Sequence, residues 1–236
     1  MIQEKKVGVV IPAAGRGRRL GGAQSKQFLE LDGKPIIVHA VEQFNSSPEI
    51  DVIIIVVDSL HGEQMRKLIK DHHLTKVSNV VCGGDERQDS VWNALQAFKE
   101  QHIDIVIVHD AVRPFIDGTL IRNVLHAAIN DRAAVVAVRP TETLKYSEDD
   151  LFIHETPKRE YLWVAQTPQA FHFKVLYNAY ERAFVEQFRG TDDASLVERL
   201  GVKVRIVEGS YENIKITTSE DLERALLILR RRTQTA

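Results

Sequence analysis

The chain has 236 residues, of which 44% are hydrophobic, and this is enough to bury a core of ordinary density. Its 33 acidic and 31 basic residues give a net charge of -2, which argues against a nucleic-acid partner because neutralising phosphates takes a surplus of Lys and Arg. The only cysteine, Cys82, excludes an internal disulfide and fits a reducing cytoplasm, and we interpret it as a small buried residue.

The first apolar run, at residues 7–14, is too short for the core of a signal peptide and far too short to span a bilayer. We therefore expect a cytoplasmic protein without a membrane partner, folded as a single domain over residues 1–236. A small anionic ligand is still allowed, because a few cations gathered in one cleft do not alter the net charge noticeably.

Short Val/Ile-rich runs recur along the chain without in-out alternation, which is typical of strands covered on both faces. The segments between them repeat apolar residues at helical spacing. The pattern predicts an α/β fold with a Rossmann-like, mostly parallel sheet flanked by helices. The predicted strands are residues 7–11, 52–57, 77–81, 103–108, 133–138 and 202–207, and the predicted helices are 35–44, 62–71, 87–101, 117–130, 173–187, 192–200 and a C-terminal helix capped by Thr218 and Asp221.

The alternation of strands and helices breaks between residues 141 and 171. Two short apolar segments, 144–146 and 151–154, flank a polar turn there and predict a hairpin. A hairpin with little core of its own usually packs on something, and a second copy of the chain is the economical partner. We expect residues 141–171 to form a protruding β-arm for dimerisation, and the protein to be a homodimer.

The first predicted strand runs into a turn of small residues and arginines at residues 12–19. Glycines let the backbone approach a ligand, and arginines donate charge-assisted hydrogen bonds, so the combination suits a polyphosphate. A plain turn with solvated arginines is the alternative. A dinucleotide-binding loop is disfavoured because Leu20 stands in place of a third glycine, and a Walker-type loop fails because Gly33-Lys34 is followed by Pro35.

Two further segments follow predicted strands, where ligands collect in open α/β sheets. Residues 83–91 are glycine-rich and open a helix, and the alternative role for Asp85 or Ser90 is helix capping. After the fourth strand, Asp110 and Arg113 stand at the same rim. Asp110 could hold Mg²⁺ directly or through water, and a simple Asp–Arg pair is the rival interpretation. His109 has no evident partner and is interpreted as structural.

The sequence resembles the methylerythritol phosphate cytidylyltransferases in seven motifs that occur in the same order. Together they cover nearly the whole chain, and an ordered set is far more specific than a single glycine loop. The motifs are PAAGRGRR at 12–19, KQFL at 26–29, GDERQDSV at 84–91, HDAVRP at 109–114, QTPQ at 166–169, TDDAS at 191–195 and ENIKI at 212–216.

The resemblance implies a nucleotidyltransferase fold, Mg²⁺ as cofactor, and CTP and 2-C-methyl-D-erythritol 4-phosphate as substrates. It implies catalytic roles for Arg19, Lys26, Arg159 and Lys215, with Arg159 reaching into the neighbouring subunit's site. The implied nucleotide-binding residues are Pro12, Ala13, Ala14, Gly15, Gly17, Gly84, Asp85, Ser90, Asp110 and Ala111. The implied acceptor-binding residues are Asp110, Arg113, Thr143, Arg159, Thr167, Thr191 and Lys215.

The expected reaction is in-line attack of the acceptor phosphate on the α-phosphorus of CTP. The acceptor phosphate is already anionic, so no enzyme nucleophile is needed, and the motifs carry no Ser-His-Asp constellation. Ser25 and Glu142 depart from the family's common Pro and Asp without removing an expected phosphate ligand.

Three other functions compete with this expectation. A ribitol 5-phosphate cytidylyltransferase typically reads Leu-Ala-Gly-Gly in the first motif, where this chain has Pro-Ala-Ala-Gly at 12–15. A CTP-sensing module without turnover would not need the second anion-binding group of Thr191, Arg159 and Lys215. A nucleotide-sugar glycosyltransferase would usually carry an Asp-x-Asp motif after a strand, and this chain offers only Asp192-Asp193.

Overall fold

A seven-stranded mixed sheet with helices on both faces forms the body of the chain in a computed structural model, which describes residues 5–15, 25–148 and 151–235. The strands are β1 Val7–Pro12, β2 Glu30–Leu31, β3 Lys34–Pro35, β4 Val52–Val57, β5 Val77–Cys82, β6 Ile105–Val108, β7 Ala133–Val138, β8 Val164–His172 and β9 Arg205–Glu208. The helices are α1 Ile36–Ser46, α2 Gly62–Asp71, α3 Arg87–Phe98, α4 Gly118–Asp131, α5 Phe173–Val185, α6 Asp193–Arg199 and α7 Ser219–Thr235.

The strand order in the large sheet is β5-β4-β1-β6-β8-β7-β9. Neighbouring strands are parallel except at β8, which runs antiparallel to both β6 and β7. The short strands β2 and β3 pair with each other outside this sheet. The carboxyl ends of β5, β4, β1 and β6 therefore meet at one edge.

The continuous apolar runs of the central strands are explained by helices on both sheet faces. In β4, Ile53 and Ile55 pack in the core cluster that contains residues of α1, α2 and α4. Ile54 and Val56 point the other way and pack in the cluster that contains residues of α3, α5 and α6. Because successive side chains of a strand point to opposite faces, a strand buried on both sides needs an apolar residue at every position.

A third, smaller core lies between α7 and the β2–β3 pair. Ile214 and Ile216 are buried in it together with Ala225 and Ile228 of α7. The start of α7 is capped as predicted: the backbone N–H of Asp221 donates to Thr218 Oγ1 at 3.2 Å, and the N–H of Thr218 donates to Asp221 Oδ2 at 3.0 Å. No helix in the described ranges is long and apolar enough to cross a membrane.

The predicted α/β class, the mostly parallel sheet and its six strands are confirmed, with two strands shorter than expected. The prediction that all of 141–171 lies outside the sheet is wrong. Residues 164–171 belong to β8, in the interior of the sheet. The strand was not predicted because its polar Gln-Thr-Pro-Gln stretch lacks the apolar pattern of the other strands. The preceding residues are mostly exposed, and the N–H of Tyr146 donates to the carbonyl of Glu155 at 2.8 Å, which pairs the two segments of the predicted hairpin. Residues 149–150 lie outside the described residues.

Candidate active site

A cleft of about 840 Å³ lies at the sheet edge where the parallel strands end. Its position follows from topology, because loops after neighbouring parallel strands gather at the same edge. The lining residues are Pro12, Ala13, Ala14, Gly15, Lys26, Gln27, Asp58, Ser59, Cys82, Gly83, Gly84, Asp85, Glu86, Arg87, Ser90, Asp110, Ala111, Val112, Lys215 and Thr217.

The segment after β1 is held by hydrogen bonds to its backbone. The N–H of Ala13 donates to the carbonyl of Val56 at 2.7 Å, and Nε2 of Gln27 donates to the carbonyl of Ala13 at 2.5 Å. The second segment approaches it closely at Gly83, where an added Cβ would lie 2.4 Å from Cβ of Ala14. A glycine is required at that position because any side chain would push the two segments apart.

The start of α3 is capped by Glu86 and Asp89, which exchange side-chain and backbone hydrogen bonds in a capping box. The alternative that Asp85 or Ser90 caps this helix is therefore wrong. Oγ of Ser90 instead accepts from the N–H of Gly84 at 3.3 Å and donates to the carbonyl of Glu86 at 3.1 Å. The cap leaves the exposed Asp85 in the cleft wall.

Asp110 is the centre of a charged cluster at one end of the cleft. Its Oδ2 lies 2.8 Å from Nζ of Lys215 and 3.8 Å from Nε of Arg113, and its Oδ1 lies 3.4 Å from Nε of Arg87. Burial alone would raise the pKa of Asp110, but Arg87, Lys215 and Arg113 together hold that pKa well below its ordinary value. The carboxylate is thus ionised, and the Asp–Arg pair that was the rival interpretation of Asp110 is present.

Arg87 is also paired with a second carboxylate. Its Nη2 lies 2.7 Å from Oδ2 of Asp193, which is fully buried, and Oδ1 of Asp193 accepts a hydrogen bond from the hydroxyl of Tyr180. Burial alone would lower the pKa of Arg87, but the Asp193 and Asp110 carboxylates raise it above its ordinary value. Sequence reasoning assigned no role to Arg87 or Asp193, although both lie inside motifs that carried the family resemblance.

His109 is fully buried beneath this cluster and has partners that the sequence did not reveal. Its Nε2 lies 3.0 Å from the carbonyl of Arg113, and its Nδ1 lies 3.2 Å from Oγ1 of Thr167. Oγ1 of Thr167 also accepts from the N–H of Asp110 at 3.0 Å. Burial lowers the pKa of His109 to about 4, so the ring is neutral and structural, as interpreted.

The structure gathers part of the predicted site. Arg113 and Thr167 contact Asp110 but do not line the cleft. Thr143, Arg159 and Thr191 are exposed and do not line it either. Arg19 and Gly17 lie outside the described residues. The predicted residues that do line the cleft are Pro12, Ala13, Ala14, Gly15, Lys26, Gly84, Asp85, Ser90, Asp110, Ala111 and Lys215.

Arg159 lies at a separate surface depression at the base of the arm. Its Nη1 donates to the carbonyl of Thr141 at 2.7 Å, and Arg139 and Lys158 also line this depression. Cys82 corrects a different expectation, because it is exposed in the cleft wall rather than buried. Gln27, Asp58, Ser59 and Thr217 are cleft residues without a chemical signature in the sequence.

Asp110 is the carboxylate available to a metal at the charged end of the cleft. The described part of the chain contains no group of three or more His, Cys, Asp or Glu side chains that could hold an ion. A single ionised carboxylate fits Mg²⁺, which usually keeps several waters and binds through one or two carboxylates plus substrate phosphates. The donor set is therefore compatible with an ion brought in on a nucleotide.

Comparisons with known proteins identify similar chains over almost the full length. Residues 7–231 match the family described as 2-C-methyl-D-erythritol 4-phosphate cytidylyltransferase. Enzymes of that name from Symbiobacterium thermophilum and Syntrophus aciditrophicus are 47% and 44% identical, over 94% and 92% of this chain and 92% and 93% of theirs. The crystal structure of 4-diphosphocytidyl-2C-methyl-D-erythritol synthase from Anaerococcus prevotii matches with a TM-score of 0.87 at 31% identity, covering 97% of this chain and 98% of that one.

Proposed function

We propose, since the chain belongs to the 2-C-methyl-D-erythritol 4-phosphate cytidylyltransferase family, that it transfers CMP from CTP to 2-C-methyl-D-erythritol 4-phosphate. The products are 4-diphosphocytidyl-2-C-methyl-D-erythritol and pyrophosphate, in the non-mevalonate synthesis of isoprenoid precursors. The observation that carries the proposal is the cleft, in which two glycine-rich segments end beside the Asp110, Lys215 and Arg87 cluster.

The chemistry that we propose needs no nucleophile from the enzyme. A phosphate oxygen of the acceptor forms a bond to the α-phosphorus of CTP, and the bond from that phosphorus to the β-phosphate bridging oxygen breaks. Pyrophosphate leaves with the electron pair. The chain's contribution is to hold two anions in line and to offset their charge, which is catalysis by positioning and electrostatic stabilisation.

The two glycine-rich segments form the proposed nucleotide site. Small residues there let the base and ribose approach the backbone of Ala13, Ala14 and Gly84. Lys26 and Arg19 are the proposed cations on the triphosphate. Lys215 is proposed to bind at the junction of nucleotide and acceptor, because its Nζ lies at the charged end of the cleft, 2.8 Å from Asp110.

Magnesium is the proposed cofactor, and Asp110 is the residue that would hold it, directly or through water. The ion would neutralise charge on the CTP phosphates when bound. Arg87, Arg113 and Lys215 contact Asp110 and keep its carboxylate ionised near neutral pH, and an ion would have to share that carboxylate with them. Lys215 would then be shared between Asp110 and the phosphates.

The arm is proposed to dock on a second copy of the chain, with Arg159 completing the partner's acceptor site. Its tip carries Leu151, Phe152 and Ile153, which are 92%, 74% and 63% exposed and form an apolar surface suited to a protein partner. Thr143 lies on the same arm. The position of Arg159 outside the cleft of its own chain supports action across an interface.

Complementation tests the arm. Mixed dimers of an Arg159→Ala chain and a Lys26→Ala chain, isolated through two different affinity tags, contain one site with both residues intact if Arg159 acts across the interface. We expect such dimers to recover turnover, while each homodimeric variant stays impaired. If verified mixed dimers recover no turnover, Arg159 does not act across the interface.

The direct test of the function is pyrophosphate release with Mg²⁺ and CTP. Methylerythritol 4-phosphate is compared with ribitol 5-phosphate, and ATP, GTP and UTP serve as nucleotide controls. Turnover restricted to CTP and methylerythritol phosphate is the expected result. Turnover with ribitol phosphate instead keeps the chemistry and overturns the acceptor. A folded protein that binds CTP but releases no pyrophosphate overturns the enzymatic proposal in favour of a sensing module.

The cytoplasm is the proposed location, because the lone Cys82 can form no internal disulfide.

A further inference from the structure

Arg87 is a cation in the cleft wall to which the proposed reaction assigns no task. It is the first residue of α3, and its side chain is 33% exposed and lines the cleft. Its Nε lies 3.4 Å from Oδ1 of Asp110, the residue at the junction of the two proposed substrate sites. Arg87 is therefore within reach of the space in which two phosphates must meet.

A second donor of the Arg87 guanidinium, Nη2, is anchored by a residue that does not line the cleft. Nη2 of Arg87 donates to Oδ2 of Asp193 at 2.7 Å, and Oδ1 of Asp193 accepts from the hydroxyl of Tyr180. Asp193 is fully buried, at the first position of α6. Both of its oxygens have donors, so the carboxylate is held in one place.

The energetics of this pair argue for positioning rather than for stability. A buried Arg–Asp pair is weak evidence for a stability role, because the desolvation of both charges can cancel their attraction. What it does provide is a fixed guanidinium. A free arginine would lose side-chain entropy on binding a phosphate, and an anchored one has lost most of it beforehand.

The charges of the cluster also favour an incoming anion. Three cations, Arg87, Arg113 and Lys215, face two carboxylates, Asp110 and Asp193, which leaves one positive charge in excess. Asp58, Asp85 and Glu86 also line the cleft, so the excess belongs to the cluster at its charged end. A phosphate that reaches that end meets the excess charge in a partly dehydrated site, where electrostatic attraction is stronger than in water.

The pair joins the two halves of the proposed site. Arg87 begins the helix that follows the glycine-rich segment at residues 83–86, on the nucleotide side. Asp193 follows Thr191 and the helix cap Asp192, on the proposed acceptor side. An ion pair that bridges these segments sets their spacing beside Asp110.

We propose that Arg87 binds a reacting phosphate, on CTP or on the acceptor, and that Asp193 is the positioning residue that holds the guanidinium for it. This inference rests on the proposed cytidylyl transfer. The chemistry recognised is a phosphate-ester anion, and a planar guanidinium suits it because two parallel N–H groups match two phosphate oxygens.

The experiment compares Arg87→Gln, Arg87→Lys, Asp193→Asn and the Arg87→Gln/Asp193→Asn double variant. Wild-type turnover is measured first, so that failure of the proposed function is seen before any variant is judged. We expect Arg87→Gln to lower kcat/KM about a hundredfold, as for the loss of one preorganised donor. Arg87→Lys keeps the charge but loses the planar pair of N–H donors, and its kcat/KM should lie between those of Arg87→Gln and the wild type. Asp193→Asn lowers kcat/KM about tenfold through misplacement of Arg87.

The double variant separates positioning from a general structural role. If Asp193 acts only through Arg87, the double variant is no slower than Arg87→Gln alone, because the two effects are not independent. If the loss of kcat/KM in the double variant equals the product of the two single losses, the positioning role is overturned. Wild-type kcat/KM in Arg87→Gln overturns the whole proposal. Should Asp193→Asn not fold, the double variant, which has no unpaired guanidinium, still supplies this comparison.

Binding measurements identify which phosphate Arg87 contacts. Calorimetric titration of each variant with CTP and Mg²⁺, without acceptor, reports the nucleotide phosphates. A weaker CTP affinity in Arg87→Gln assigns Arg87 to CTP, whereas unchanged CTP affinity with a raised KM for the acceptor assigns it to the acceptor phosphate. The matched controls are Arg205→Gln and Asp131→Asn, which break an ion pair of 2.8 Å outside the cleft and should leave both measurements unchanged.

Discussion

A methyl group added at Gly83 tests how closely the two glycine-rich segments must approach. The Cβ of Gly83→Ala would lie 2.4 Å from Cβ of Ala14 and 2.8 Å from Oγ of Ser90. Carbon atoms in contact lie at about 3.5–4.0 Å, so the segments would have to separate by about 1 Å or more. A displacement of that size can cost about a hundredfold in rate, and overpacking costs about 1–3 kcal/mol of stability.

Steady-state pyrophosphate release and urea unfolding measure the two consequences of Gly83→Ala. We expect kcat/KM for CTP to fall about a hundredfold and the free energy of unfolding to fall by about 1–3 kcal/mol. Gly118→Ala is the matched control, because its Cβ would meet only the flexible end of Arg122, at 3.5 Å. Adding Ala14→Gly to Gly83→Ala removes the atom at 2.4 Å and should restore part of the stability. Wild-type kcat/KM in Gly83→Ala would refute the close approach as a requirement for nucleotide binding.

Three further predictions concern charged or titratable residues. Lys26→Ala and Lys215→Ala should each cost roughly 3 kcal/mol of transition-state stabilisation, about a hundredfold in kcat/KM, and a folded variant with full turnover contradicts the assigned role. The folded chain binds no proton at His109 until about pH 4, whereas the unfolded chain binds one below about pH 6.5. His109 should therefore contribute about 3 kcal/mol of stability above pH 6.5 that is lost as the pH falls to about 4. Urea unfolding across this range should show a shallower pH dependence in His109→Gln, and an unchanged slope argues against a neutral buried ring.

Six strands could be predicted from their apolar runs. Four of them, β1, β4, β6 and β7, are buried along almost their whole length, and β5 and β9 are the edge strands of the sheet. β8 could not be predicted, because its residues Gln166, Thr167 and Gln169 are polar and yet buried. Their burial is satisfied by partners from distant loops: Nε2 of Gln169 donates to Asp192 at 2.8 Å, and its Oε1 accepts from the N–H of Ala194 at 2.9 Å. Local hydropathy cannot anticipate hydrogen bonds to segments that fold against the strand later in the chain.

The same limit applied to the site. Glycine-rich segments at strand ends and Asp110 were predictable, since strand ends of a parallel sheet converge whatever the loops contain. The Arg87–Asp193 pair was not, because its members are 106 residues apart and no spacing rule relates them. Arg159, Thr143 and Thr191 carry a family signal, but a single chain does not bring them to the cleft.

The last helix decides where a cation of the cleft lies, although it contributes no lining residue. Ile214 and Ile216 flank Lys215 and are buried in the small core with Ile228 of α7, while Lys215 itself is exposed. Successive side chains at residues 214–216 point in alternating directions, so the Lys215 side chain points away from that core. A hydrogen bond from the N–H of Ile216 to the carbonyl of Val112, at 2.9 Å, ties the segment to the loop after Asp110. The 2.8 Å separation of Lys215 and Asp110 therefore depends on apolar burial at the C-terminal end of the chain. Hydrophobic packing supplies the rigidity that an electrostatic site needs, since a cation on a mobile loop would have to be ordered again at each turnover.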